Sequence, residues 1–459
     1  PLHTEQFFQA SSMESVLFQP LVDALASGQP QAVVDAANLF NAADLAEFIE
    51  QNIENETANS LFESLPVALR AKVLGYTNPD TQLLLTRATP LAELAVLTTE
   101  MPSDDRVDFF NLLEESRQKQ LIRKLDQQDR EDLTALLAHA EGTAGSLMST
   151  DYAVFESGIT ASEAIDILRK TAEYKETIYQ SYVIDEEQVL IGVVSLRRLI
   201  IAKPDVVIDS LLATGLVTAH TDTSQDDVAR LIAKYDLLAL PVLDDHNRLV
   251  GIITYDDAMD VIEAEATEDI HKGGSVSNLD TGITTASPFS LYRSRIQWLV
   301  ILVFANIFTG AGIAHFEDII GAHLALLFFM PLLVASAGNA GAQSATLVVR
   351  GIATGDVVNR DWVRLFNKEL LVATALGLTM ALTVWTVGMF RTEMVIATIV
   401  AITMIAVVLA GGLIGILLPL LLNRLGVDPA AASIPLITTI ADVSGVMIYF
   451  SIATMILGA

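Results

Sequence analysis

One carboxylate, Asp442, stands near the middle of the last long apolar stretch of the chain, within LITTIADVSGVMIYF. It is the only charged side chain of residues 430–457. A charge at bilayer depth costs at least ~2.5–3.5 kcal/mol, so an ion path or a proton relay is its default role. At helical spacing Pro435, Thr438, Thr439, Asp442, Gly445, Val446 and Tyr449 share one face. Pro435 lacks an amide donor and is expected to free a carbonyl one turn earlier. Carboxylate, hydroxyl and free carbonyl are hard oxygen ligands, suited to Mg2+ or Ca2+. A second apolar stretch carries ASAGNAGAQSATLVVRG. There Asn339, Gln343, Thr346 and Arg350 form a polar stripe at i, i+4, i+7 and i+11, beside small residues that allow close helix approach. The stripe can cross-link helices, or its two amides can hold the waters of a hydrated ion.

A different set of acids lies on YDDAMDVIEAEATEDIHK, a segment that ends at Gly273-Gly274. Asp257, Asp260, Glu265 and Glu268 occupy one half of that helix, a self-repelling stripe with no basic partners. It is either a solvated face or a cation sensor. His315, Glu317, Asp318 and His323 cluster between the first two apolar stretches, where interfacial polar residues are common. Other chemistry is absent from the sequence. There is no cysteine, no HExxH or His-Cys spacing that would suggest zinc, and no GxxxxGK[ST] phosphate loop. Nothing assembles a catalytic set, and an enzyme is the least favoured class.

The elements that position these residues divide the chain by charge. Of 56 acidic and 27 basic residues, 8 of each lie from Leu291 onward, so the first 290 residues carry the whole net charge of −29. Such acidity argues against nucleic acid, which needs a basic footprint. The first 69 residues lack Lys and Arg and do not read as a cleaved signal peptide. Five stretches, roughly 296–314, 322–349, 370–390, 394–422 and 430–457, are long enough to span ~30 Å of hydrocarbon. Arg293, Arg295, Arg350, Arg360, Arg364, Lys368 and Arg424 flank them on one side and only Arg391 on the other. That asymmetry places the acidic region in the cytoplasm and the C-terminus outside, in a multi-pass protein of the cell membrane. Residues 1–140 read as short amphipathic helices punctuated by Pro66, Pro79, Pro90 and Pro102. One such helix is expected over residues 58–74, and the set is expected to stack as a loose α-solenoid. Further on, YVIDEEQVLIGVVSLRRLI recurs 59 residues later as PVLDDHNRLVGIITYDDAM. Each copy reads helix, strand, turn, strand, helix, and the tandem pattern resembles a pair of CBS modules.

An acidic helical domain, a CBS pair, a connecting helix ending ATEDIHK, GNAGAQSATLVVRG in the second span and TTIADVSG in the last occur in that order. The chain thereby resembles the MgtE family of magnesium channels over nearly its whole length. The resemblance implies a multidomain membrane protein. Its parts are an α-helical superhelical N-domain (1–140), α/β CBS modules (141–203 and 204–257), a connecting plug helix (258–275) and a five-helix transmembrane pore domain (290–459). It implies a homodimer in the lipid bilayer with one Mg2+ pore on its two-fold axis, built from Asp442, Asn339, Gln343, Thr438 and Thr439. It further implies that Asp257, Asp260, Glu265, Glu268 and Asp269 sense Mg2+ on the plug helix, Asp226 and Asp236 in the second CBS module, and Asp104 and Asp105 in the N-domain. An adenine nucleotide is expected at the CBS pair, at Thr254 and Asp257. The first copy has Ser195 and Arg198 there, so at most one site per chain is intact. Ile434, eight residues before Asp442, replaces a residue that is often polar or glycine in the family and offers no ligand. Two rivals remain from the residues alone: an ion-coupled divalent-cation transporter, and a membrane-anchored nucleotide or metal sensor.

Overall fold

The computed structural model describes residues 17–53, 56–277, 283 and 286–458. It consists of two compact units, residues 1–263 and 264–459.

The first unit begins with ten short helices, counted among the described residues, from Gln19–Ser27 to Gln127–Leu136. Proline sets their starts: Pro79 is the first residue of its helix, while Pro66, Pro90 and Pro102 occupy N-cap positions. This corrects the expected continuous helix over 58–74. Pro66 divides it into Glu56–Ser64 and Val67–Gly75, because the residue before a proline is pushed out of helical geometry. Leu45, Phe48, Ile49, Leu61, Leu74 and Leu94 are among the side chains buried between these helices.

The duplication folds as two three-stranded sheets. In each, a short first strand pairs parallel to the second, which pairs antiparallel to the third. Even the hairpin turns repeat. Gln188 and Asn247, 59 residues apart, both take positive φ, at 66° and 59°. Asp185 and Asp244 both close the turn by accepting backbone amides, from Glu187 and Val189 in one copy and His246 and Arg248 in the other. The helical domain shares one hydrophobic core with the second module, reaching Val228, Ile232, Ile253 and Val261. A polar clasp fixes the register there. Ser149 exchanges backbone hydrogen bonds with Ile252, and its hydroxyl lies 3.0 Å from that of Ser103. The helix Ser103–Leu112 therefore begins beside the last strand of the second module, and its first acids face the start of the connecting helix, Tyr255–Gly273.

The second unit holds five helices long and apolar enough to cross a membrane: Pro288–His315, Ala325–Ala353, Trp362–Met389, Met394–Arg424 and Ile434–Leu457. The fourth helix packs most closely, laying Gly411 and Gly415 on the second. A Cβ at Gly411 would come within 2.2 Å of the Ala337 carbonyl oxygen, and one at Gly415 within 2.2 Å of that of Gly341. Backbone meets backbone at both points, as small-residue seams allow. The fifth helix starts at Ile434, after a short turn at Pro429–Ala431. Pro435 thus sits in the first helical turn, where a missing N–H costs nothing, and the carbonyl expected to be freed one turn earlier belongs to the turn Pro429–Ala431 rather than to the helix.

Gly411→Ala or Gly415→Ala must separate the second and fourth helices. Overpacking of this kind costs about 1–3 kcal/mol. Thermal unfolding of the detergent-solubilised chain should show a clear drop for either variant. Gly310→Ala, where an added Cβ meets nothing within 4 Å, should leave the transition in place.

Candidate functional site

Asp442 lies two turns into the fifth helix and is half-buried. Gly338 of the second helix makes room for it: a Cβ there would stand 3.2 Å from Thr438 and 3.6 Å from Asp442 Oδ1. The carboxylate and Thr438, one turn apart, therefore lie over the glycine that precedes Asn339. Both threonine hydroxyls donate to the Pro435 carbonyl, Thr438 at 3.0 Å and Thr439 at 2.8 Å. Their oxygens keep lone pairs for an outside partner. Thr439 is buried, as are Gly445, Val446 and Tyr449. Tyr449 donates its hydroxyl to the Leu326 carbonyl at 2.9 Å. Most of the face read as polar and open thus packs against the second helix, leaving Thr438 and Asp442 partly accessible.

The polar stripe of the second helix behaves oppositely. Asn339, Gln343, Thr346 and Arg350 are all exposed on the single chain. Their neighbours Gly338, Gly341, Ser344, Ala345 and Val348 are buried inside it. Ser344 is held by Glu369 of the third helix, donating to its carboxylate at 2.6 Å. A Cβ at Gly412 would meet the same carboxylate at 2.3 Å, so Glu369 is wedged between the second and fourth helices and fixes the rotation of the stripe. Glu369 was missed in the sequence because the third span was expected to begin at Leu370. The helix starts at Trp362 and carries Glu369 two turns inside.

In the first unit Asp104, Asp105, Asp257 and Asp260 come together. Asp105 feels Asp108, Asp257, Asp260 and Asp256, and with burial these push its pKa up to about 6. Asp108 is also raised to about 6, by burial and by Asp257 and Glu141. Glu176, raised to about 7 by burial with Asp257, Asp256, Asp105 and Asp151, brings the first CBS module into the cluster. Asp104 is pushed well up by burial, then by Asp257, Asp105 and Glu176. Its Oδ1 is buried with no hydrogen-bond partner among the described residues. Among the described residues, no base is a leading influence on these carboxylates. Arg106, on the same helix, turns away to the carbonyls of Thr98, Thr99 and Met101. Gly75 lets Asp105 fit, since a Cβ there would lie 2.3 Å from Asp105 Oδ2. Asp108, one turn after Asp104, was legible by spacing; Glu176 was not, because only the fold brings it near.

Other expected sensors fall elsewhere. Asp226 is in the first turn of Gln225–Tyr235 and Asp236 is its left-handed C-cap, at φ 51°. About 15 Å of helix separates them, so one chain does not join them. Glu265, Glu268 and Asp269 lie toward the other end of the connecting helix, and the stripe there is not without a base. Lys272 forms ion pairs with Glu268 and with Asp428, in the turn before the fifth helix. Asp428, unforeseen, also raises the pKa of Asp269, after burial and ahead of Glu265. Ser275 donates to Ser433 at 2.6 Å, so two contacts tie the end of the connecting helix to the start of the Asp442 helix. Thr254 gives both its amide (3.0 Å) and its hydroxyl (2.6 Å) to Asp257 Oδ2. At Ser195 only the Arg198 amide returns, and the Arg198 guanidinium goes to the Leu211 carbonyl. Among the described residues, no three His, Asp or Glu side chains are close enough to ligate one ion directly. The donors are all hard oxygens in a loose array, which suits a hydrated ion or one that draws them in.

Comparisons with known proteins find relatives along most of the chain. A profile described as MgtE, divalent cation transporter, matches residues 330–452; one for the MgtE intracellular N domain matches 40–142; CBS domains match 144–205 and 208–264. A magnesium transporter MgtE of Thermus thermophilus is 38% identical over 97% of this chain and 100% of its own length. One from Bacillus subtilis is 32% identical over 86% and 90%. Among solved structures, the cytosolic domain of the Mg2+ channel MgtE in complex with ATP is 34% identical and covers 53% of this chain and 98% of its own, with TM-score 0.50.

The cluster sets a pH dependence. Asp and Glu ordinarily titrate near 4. A carboxylate whose folded pKa is raised favours folding fully below that value and loses the contribution as pH rises through the folded pKa. With Asp105, Asp108 and Glu176 at about 6 to 7, the unfolding transition of the first unit in the full chain should lose stability between pH 4 and 8 without divalent ions. Added Mg2+ should restore it at pH 7.5 and do little at pH 4. Calorimetry showing the same Mg2+ effect at both pH values would contradict the assignment. Gly75→Ala, which displaces Asp105, should weaken the response at pH 7.5.

Proposed function

The chain is a member of the MgtE family of divalent cation transporters, and on that premise we propose that it carries Mg2+ through a dimeric pore closed by cytoplasmic Mg2+. One observation carries the reading: a stripe of exposed polar side chains, Asn339, Gln343 and Thr346, runs along a membrane-spanning helix beside a half-buried carboxylate. Polar groups facing lipid are costly, whereas facing a water-filled path they are satisfied. A second copy related by a two-fold axis would place two stripes and two Asp442 carboxylates around one path. Mg2+ holds its water tightly, so the carboxylates, the amides and Thr438 act on the hydrated ion, and Asp442 supplies the charge. Thr439, buried, supports the helix rather than the ion.

Gating follows from the acidic clusters. Without Mg2+ the carboxylates around Asp104 and Asp257 repel, and the helical and CBS domains loosen. Mg2+ binding there stabilises the compact state and pulls the connecting helix into its closed position. The Lys272–Asp428 and Ser275–Ser433 contacts pass that position to the Asp442 helix. Asp257, Asp260, Glu265, Glu268 and Asp269 are the sensing acids of the connecting helix, with Asp104 and Asp105 facing it. Asp226 and Asp236 sense across a dimer contact. Driving closure from 1:99 to 99:1 takes about 5.5 kcal/mol, which needs several ions acting together. An adenine nucleotide fits the second CBS module at Thr254 and Asp257. Since Oδ2 of Asp257 is engaged by Thr254, nucleotide and cation meet at one carboxylate and their binding is coupled.

Mg2+ uptake into proteoliposomes with no other gradient should occur with the wild type, vanish in Asp442→Asn, and fall at least tenfold in Asn339→Leu. Uptake that needs a proton or sodium gradient would favour the coupled transporter; nucleotide binding with no flux would favour the sensor. Asp257→Asn with Asp260→Asn and Glu268→Gln should leave channels open at Mg2+ levels that close the wild type. Unchanged closure would count against the sensor.

A further inference from the structure

A crevice of about 340 Å³ opens between the start of the third membrane helix and the end of the fourth, lined by Trp362, Leu417, Leu420, Leu421 and Arg424. Its chemistry is graded. Leu420 forms the floor and packs with Val348 and Ile416 in the bundle interior, while Leu417 and Leu421 are exposed along the wall. Trp362, 52% exposed, stands in the first turn of its helix, at the depth where indoles sit between hydrocarbon and headgroups. Arg424 is the last residue of the fourth helix and is exposed. Among the described residues it has no ion pair and no side-chain hydrogen bond. The nearest acid in sequence, Asp428, is taken by Lys272 and by the Ala430 amide. Arg360 and Arg364, on either side of Trp362, are also exposed and, among the described residues, without ion pairs.

We propose that this crevice binds one anionic phospholipid from the leaflet on the basic side of the protein. The phosphate meets the Arg424 guanidinium, whose planar fork suits phosphate oxygens. The indole of Trp362 lies at the glycerol level, and the first part of an acyl chain runs along Leu417, Leu420 and Leu421. The volume equals about eleven waters at ~30 Å³ each, room for a headgroup and the start of a chain but not a whole lipid. A free phosphate would have no use for three leucines and an indole. A zwitterionic lipid would bring its own cation to an end already crowded with arginines. The inference stands on the membrane-spanning helices alone and does not depend on the Mg2+ reading.

The chain has three tryptophans, so Trp298→Phe with Trp385→Phe leaves Trp362 as the only indole. In vesicles of phosphatidylcholine holding a small fraction of chain-brominated phosphatidylglycerol, Trp362 fluorescence should be quenched about five-fold more readily than with brominated phosphatidylcholine. That preference is what one arginine near an anionic headgroup supplies. Arg424→Gln should reduce it to about one, Arg424→Lys should keep part of it, and Arg391→Gln, at the opposite end, should leave it unchanged. Equal quenching by both lipids, or a preference indifferent to Arg424→Gln, overturns the proposal. Competition by millimolar inorganic phosphate would show a phosphate site instead and overturn it too. If the double tryptophan variant does not fold, native mass spectrometry of the wild type and Arg424→Gln reads the same preference as bound lipid, with the same outcomes.

Discussion

An uncompensated carboxylate inside a membrane domain constrains everything around it. No base lies within the helix of Asp442, and the side chain is neither sealed in the protomer nor placed among lipid-facing residues alone. It sits over Gly338, at the edge of the seam between the second and fifth helices. For the carboxylate to stay charged, that edge must meet water, a cation or a second polar surface. The exposed amides of Asn339 and Gln343 continue from the same edge, and the same argument covers them. Burying the opposite side of the second helix is what turns the stripe outward. Gly341 lies against Gly411 and Gly415, and Ser344 is tied to Glu369. The packed side thus determines which side of the helix is left exposed.

In the first unit the same physics runs in reverse. There, carboxylates are brought together by a fold that could have kept them apart. The Ser103–Ser149 clasp and the shared core press the helix carrying Asp104 and Asp105 against the start of the connecting helix. Arg106, the base that could neutralise them, is spent on three carbonyls. The resulting strain is electrostatic and reversible, and either protons or divalent cations relieve it. Such a cluster opposes its own compact state until an ion arrives, which is the requirement for a sensor whose ligand shifts a conformational balance.

Much of this was legible in the sequence, and the misses have physical causes. The five spans, the duplicated module and Asp442 follow from long apolar runs, a 59-residue repeat and one misplaced charge, all local signals. Helix ends were less readable. Pro66 splits an apparently continuous amphipathic run, and Pro435 stands in the first turn of a helix whose apolar run begins earlier, at residue 430. Proline restricts its neighbour in either case, and which side the helix takes is decided by packing. Residues joined only by the tertiary fold were invisible. Glu176 enters the acidic cluster from the strand side of another module, Asp428 meets Lys272 across 156 positions, and Glu369 reaches Ser344 between helices. Asp226 and Asp236, implied as sensing positions by the family resemblance, lie at the two ends of one helix, a spacing that the order of the sequence does not show by itself.

The contacts at the end of the connecting helix join it to the turn before the fifth span. Lys272 is held between Glu268 on its own helix and Asp428 in the turn before the fifth span. Such a cation already supplies part of the neutralisation that a divalent ion would offer. Asp269, raised by Asp428 and Glu265 beside it, is where charge remains in excess. An ion that binds near Asp269 must therefore compete with Lys272 for Asp428 or strengthen the contact by relieving repulsion around it. Of the two, relief is favoured by geometry, since Glu268 and Asp428 keep Lys272 whether or not Asp269 is neutralised. On that reasoning Lys272 is a standing clamp between the connecting helix and the turn before the Asp442 helix.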